Sequence, residues 1–223
     1  MFHIDFWMKE LTERLKGIFG SRLEFVGLQG SYSRHEETAK SDIDVVVILD
    51  RLSVKDISTY DMLMSDMPQR HKVCGFVSGK EELLKWEKSE LFQFYNDTVP
   101  YYGNIDFILK LLTEEDIKRS VLTGACNAYH MCCHNMLHKK DGKILADICK
   151  TATVVIQAKH YSETGTYIRR KDELFRAVKS EDAEIIEDFI LLRENPLMGE
   201  RDFWEISERI FEWAKKIIME YGN

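Results

Sequence analysis

The segment that most restricts this chain is a glycine-serine pair, Gly30-Ser31, followed after a spacer by Ser41-Asp42-Ile43-Asp44 and the apolar run Val45-Val46-Val47-Ile48-Leu49. If the run is a strand, successive side chains point to opposite faces, so Asp42 and Asp44 share a face while Ile43 turns into the core. Two neighbouring carboxylates invite a divalent cation. Magnesium is the natural candidate, because it takes hard oxygen ligands, keeps several waters and is usually held by one or two carboxylates plus phosphate oxygens. Upstream, Leu23-Glu24-Phe25-Val26-Gly27-Leu28 reads as the preceding strand. Gly30 then permits a tight turn whose N–H groups, with the Ser31 hydroxyl, can meet a phosphate oxygen. The plainer alternative is a capped turn followed by a strand that begins with solvated aspartates.

Composition bounds the rest loosely. At 223 residues, and about 150 per domain, the chain makes one large domain or two small ones. With 44% hydrophobic and 31% charged residues it has ample apolar content for a core. A formal charge of −7 argues against gripping nucleic acid through a general basic surface, and it suits a polycationic small molecule. The cysteines, Cys74, Cys126, Cys132, Cys133 and Cys149, are odd in number and lack CxxC spacing, which predicts reduced thiols rather than disulfides or a cysteine zinc site. The start Met1-Phe2-His3-Ile4-Asp5 lacks the features of an export signal, and no apolar run approaches the ~20 residues of a spanning helix, so the expectation is a cytoplasmic chain.

Phe2 to Phe19 carries Phe6, Leu11, Leu15 and Ile18 at helical spacing. After the two motif strands, Ser53 caps a helix to Met67, Pro68 ends it, and His71 to Val77 returns as a strand. Ser78 opens a further helix through Glu81, Leu83, Leu84 and Trp86, and Val99-Pro100-Tyr101-Tyr102 and Ile105-Asp106-Phe107-Ile108 look extended. From Thr113 the strand signals vanish. Helices are expected from Glu114 to Lys139, Lys143 to Tyr161, Arg169 to Lys179, Asp182 to Leu192 and Asp202 to Tyr221, with breaks at Asp141-Gly142, Gly165 and Asn195-Pro196. The expected class is therefore α+β: an N-terminal α/β domain with a mixed sheet over residues 1–112, then a helical bundle over 113–223. Trp86, Trp204 and Trp213, with Phe92, Phe94 and Tyr95, sit at spacings that suggest core packing.

Gly30-Ser31, the spacer and Ser41-Asp42-Ile43-Asp44 resemble the signature of the polymerase-beta-like nucleotidyltransferase superfamily, and most of all its aminoglycoside (kanamycin-type) members. The stretch from Lys150 through Tyr161 and Thr164 to Arg169 resembles the second helix and following loop of the bundle in those proteins. The resemblance implies a cytoplasmic enzyme that moves a nucleoside monophosphate, AMP from ATP, to a hydroxyl of a small molecule such as an aminoglycoside-like antibiotic, releasing pyrophosphate. It assigns Mg2+ to Asp42 and Asp44, and nucleotide binding to Gly30, Ser31, Arg34 and Ser41. A homodimer is one assembly it allows.

Members of the family add a third acid from a neighbouring strand, and the strand that aligns here, Lys72-Val73-Cys74-Gly75-Phe76, offers Cys74. The remaining candidate catalytic acid and metal ligand is Asp106, with a strand-edge residue bonding a turn as the plainer reading. In the aminoglycoside enzymes a glutamate on the first bundle helix is the general base, and this chain shows His130, His134 and His138 on one helical face instead. His134 or His130 is the stand-in base; the alternatives are a metal such as zinc on the three imidazoles, or a face packed at a domain interface. Arg34 is near enough to the turn to reach a triphosphate, whereas Arg169, Arg170 and Lys171 read as a solvated helix start. Two other functions stay open: a regulatory, antitoxin-like nucleotidyltransferase acting on a partner protein, and a degenerate protein that binds nucleotide without catalysis.

Overall fold

Trp7, Met8, Leu11, Leu15 and Phe19 recur at helical spacing and form the buried face of α1 (Ile4–Phe19). The stripe lies slightly round the helix from the expected one: Phe6 is 72% exposed and Ile18 48%, while Leu11 and Leu15 are fully buried. The computed structural model describes residues 2–194 and 199–222, and the chain forms two units, Met1–Leu111 and Leu112–Asn223.

In the first unit, β1 (Leu23–Gln29), β2 (Ile43–Leu49), β3 (Val73–Gly79) and β4 (Val99–Tyr102) build one sheet in the order β3-β2-β1-β4. β2 and β3 are parallel and the other pairs antiparallel, the mixed sheet expected. One face, with Val26, Leu28, Ile43, Val45 and Val47, packs in a single cluster with α1 and with Leu63 and Met64 of α3 (Val54–Ser65). Ser53 caps α3 as expected: its hydroxyl accepts the Asp56 N–H at 3.2 Å and the Asp56 carboxylate accepts the Ser53 N–H at 2.9 Å. On the other face Phe76 meets Trp86 and Phe94 edge-on, with ring centroids 5.4 and 5.1 Å away. These rings come from the elements after β3, where the expected single helix is two, α4 (Lys80–Lys85) and α5 (Lys88–Asp97), and Ser78 belongs to β3.

The expected strand through Asp106 is absent. Gly103, at φ +68°, turns the chain against the Glu24 carbonyl, and a 3-10 segment, Asp106–Leu111, follows. The second unit is helical: α6 (Glu114–His134), α7 (Gly142–Thr164), α8 (Lys171–Ala177), α9 (Ser180–Glu194) and α10 (Glu200–Tyr221). Helix α6 packs on α7 and α10, and α7 on α9, around Val121, Ala125, Ile148, Ala152, Ile156 and Ile185. The helix expected to continue to Lys139 changes at Asn135–Lys139 into a π-helical turn. Buried Asn135 fixes that turn: its amide donates to the Asp141 carbonyl at 3.0 Å and its own carbonyl accepts the Asp141 N–H at 3.1 Å. Trp213 is buried as expected, while Trp86 and Trp204 are more than a third exposed. The Asn195-Pro196 break lies outside the described residues. Among those residues no helix is long and apolar enough to cross a membrane.

All five thiols are free. Burial pushes Cys132 up to about 12, and Cys149, also buried, is shifted upward for the same reason. Ellman's reagent at pH 8 is expected to modify exposed Cys74 and Cys126 at once, and Cys132 and Cys149 only in denaturant. Five thiols reacting at a single rate in the native protein would contradict this packing.

Candidate active site

Register places Asp44 of β2 beside Gln29 of β1 on one side and Cys74 of β3 on the other, a row across one end of the sheet. Asp44 is half-buried, Asp42 is exposed just ahead of β2, and Ile43 between them is fully buried, as strand alternation requires. Gly30 opens the short helix α2 (Gly30–Arg34) at φ +71°, and a Cβ there would lie 1.9 Å from Asp44 Oδ2. The turn after β1 is thus folded directly against the Asp44 carboxylate. Only glycine combines that backbone with that closeness.

Ser31 follows, half-buried in the first turn of α2. Ser41 is engaged elsewhere: its N–H donates to the Thr38 carbonyl at 3.0 Å and its Oγ accepts the Thr38 N–H at 2.9 Å, closing the spacer. Its Oγ also lies 3.4 Å from the Thr38 hydroxyl. Arg34 is also engaged. Its side chain is 10% exposed and donates to Asp97 Oδ1 at 2.6 Å and to Glu36 Oε2 at 3.0 Å. Burial opposes the guanidinium charge, and the neighbouring Asp97 and Glu36 carboxylates more than offset it, so its pKa is raised.

Asp97 is the residue that sequence reasoning missed. Besides pairing with Arg34, its Oδ2 accepts the Gly30 N–H at 3.3 Å. It ends α5, a helix signalled by Glu87, whose carboxylate accepts the Ser89 N–H at 3.3 Å, by buried Leu91 and Phe92, and by the stop at Thr98-Val99-Pro100. Alongside, Gln29 Nε2 donates to Thr98 Oγ1 at 2.7 Å and to the Phe94 carbonyl at 3.2 Å.

Of the other candidates, Asp106 lies in the first unit and the three histidines in the second. Asp106 is exposed, and its Oδ1 accepts the Tyr95 hydroxyl at 3.2 Å while its N–H donates to Asn104 Oδ1 at 3.3 Å. Turn chemistry at Gly103-Asn104, rather than strand alternation, sets its place. Among the described residues no three His, Cys, Asp or Glu side chains form a group that could hold a metal, so neither an Asp42-Asp44-Asp106 triad nor a three-histidine site is present. Two carboxylates as close in sequence as Asp42 and Asp44 still suit, by their chemistry, a magnesium-type ion that shares its other positions with water and phosphate. His130, His134 and His138 lie in the second unit, all exposed, with neighbouring ring centroids 6.5 and 4.9 Å apart. In the same unit Lys171 is buried and donates to Gln157 Oε1 at 2.7 Å, so that member of the Arg169-Arg170-Lys171 group is built into the bundle, while Arg170 is exposed at the helix start as expected.

The sequence profile of the nucleotidyltransferase domain matches residues 8–121, just over half of the chain. The chain belongs to the nucleotidyltransferase family. It is an enzyme of that kind, with the matched region running from α1 across the whole sheet into α6. Among solved structures, 11 chains match this nucleotidyltransferase significantly. One is the spectinomycin adenyltransferase AAD(9) from Enterococcus faecialis, crystallised with ATP and spectinomycin. It is 12% identical, with a TM-score of 0.57 over 95% of this chain and 98% of that one. At that identity the likeness shows the fold. No curated protein matches the nucleotidyltransferase significantly.

Proposed function

We propose that this nucleotidyltransferase moves AMP from ATP to a hydroxyl of a small molecule of the aminoglycoside-like antibiotic class, with Mg2+ as its metal. The observation that carries the reading is the Gly30 turn folded against the Asp44 carboxylate, with Asp42 two residues earlier, just ahead of β2. The likeness to an adenyltransferase crystallised with ATP and spectinomycin supports the choice of nucleotide and acceptor.

In this reaction the acceptor oxygen bonds to the α-phosphorus as the bond from that phosphorus to pyrophosphate breaks, and the hydroxyl proton passes to a base. Asp42 and Asp44 would hold Mg2+, which when bound would supply positive charge for the triphosphate and the departing pyrophosphate. The Ser31 hydroxyl holds the β- and γ-phosphates. His134 or His130, both exposed imidazoles, takes the acceptor proton.

The test is pyrophosphate release by purified protein, with each of four nucleoside triphosphates against a panel of aminoglycosides and lincosamides. Release is expected with ATP and one acceptor class, and it should stop when EDTA removes the metal. Silence across the panel, in protein that binds ATP, would remove the antibiotic class. Release that persists in EDTA would remove the metal.

For the histidines, His134→Ala or His130→Ala is expected to lower kcat about 100-fold with nucleotide affinity kept, because a general base acts on the chemical step. If both single variants turn over normally and only melt earlier, the histidine row is structural.

A further inference from the structure

We infer that Asp97 is a positioning residue, through which the end of α5 holds the Gly30–Arg34 turn in the shape that receives the nucleotide. The inference rests on the reading that this turn meets the phosphates, and it assigns Asp97 and Arg34 to the turn's support rather than to the nucleotide itself.

A helix as short as α2 cannot maintain its own shape, since nucleating a single turn is unfavourable, so its geometry must be imposed by contacts from outside. Those contacts converge from one place. Asp97 accepts both the Gly30 N–H at 3.3 Å and the Arg34 guanidinium at 2.6 Å, bracketing α2 at its first and last residues with one carboxylate. One residue further on, Thr98 accepts from Gln29, the residue just before the turn, at 2.7 Å.

The support is itself anchored. Asp97 closes α5, whose Leu91 and Phe92 are buried, and Val99 two residues later pairs with Leu28 in the sheet. The carboxylate therefore stands between two fixed elements, and Arg34 is buried enough that removing its partner strands a guanidinium on Glu36 alone. Any relaxation of the turn also moves Gly30 relative to Asp44, which lies against it. Asp97 thus sets the phosphate side and the metal-carboxylate side of the site together without touching either ligand.

The experiment compares wild type with Asp97→Asn, which keeps an acceptor for Gly30 but loses the charge facing Arg34, and with Asp97→Ala, which loses both. ATP affinity is read by titration with a fluorescent ATP analogue, and the Gly30–Arg34 amides by hydrogen exchange. Affinity is expected to fall about 10-fold in Asp97→Asn and about 100-fold in Asp97→Ala, with both variants folded and the turn's amides exchanging faster. Arg34→Met should weaken ATP binding to a similar degree, and combining it with Asp97→Asn should add little, because both act through one contact. Additive losses would mean that Arg34 meets the phosphates and would overturn its part of the inference. Unchanged ATP affinity with only an earlier melt would overturn the whole. If wild type binds no ATP, the nucleotide reading fails as well; unchanged amide exchange in the variants, by contrast, counts against the support role alone.

Discussion

Asp44→Asn is expected to lower turnover by about 1000-fold or more at saturating ATP and Mg2+, while the protein melts within a few degrees of wild type. The substitution preserves side-chain volume, so the Gly30 turn that rests on this position keeps its seat while the carboxylate charge proposed to hold the metal is lost. Asp42→Asn should behave alike with still less structural cost, because Asp42 is exposed and precedes the strand rather than lying within it. A conservative change with so lopsided an effect separates metal binding from packing, since a packing residue would lose stability first. Turnover equal to wild type in either variant, measured as pyrophosphate release, would sink the assignment of the metal to this pair.

Much of this site was legible because its logic is local. The alternation that buries Ile43 and leaves Asp44 half-buried follows from strand geometry alone, and the turn at Gly30 from the only residue that tolerates it. The alignment of Cys74 with the expected third acid is matched by its register opposite Asp44. What was not legible depends on contacts between distant residues. Asp97 meets Gly30 and Arg34 across 67 and 63 positions of sequence, and no pattern within a short window announces such a meeting. Asp106 shows the opposite failure. Ile105, Phe107 and Ile108 imitate a strand, but the Gly103 turn and the Asn104 side chain override them, and backbone chemistry of that kind outranks an apolar pattern only a few residues long. The same holds in the bundle, where the π-helical turn at Asn135–Lys139 is set by the buried Asn135 reaching Asp141, not by any break in helical periodicity.

Gly30→Ala should be nearly as damaging as losing the carboxylate itself, and for a reason that no electrostatic argument supplies. The residue sits at φ +71°, where an added Cβ costs about 1–2 kcal/mol of backbone strain, and that Cβ would fall 1.9 Å from Asp44 Oδ2 and 2.9 Å from its Cγ. Either the carboxylate rotates away or the turn lifts, and both movements part the two halves of the site. The expected result is a melting temperature lower by roughly 5 °C or more and a fall of about 100-fold in kcat/KM for ATP, the scale on which a displacement of an ångström is felt in a positioned reaction. The two causes can be separated. In an Asp44→Ala background the steric conflict disappears and only the φ penalty remains, so Gly30→Ala should then cost distinctly less stability than it does alone. Equal costs in both backgrounds would show that the strain is purely in the backbone, and normal turnover by Gly30→Ala would show that turn and carboxylate do not act together when the phosphate is transferred.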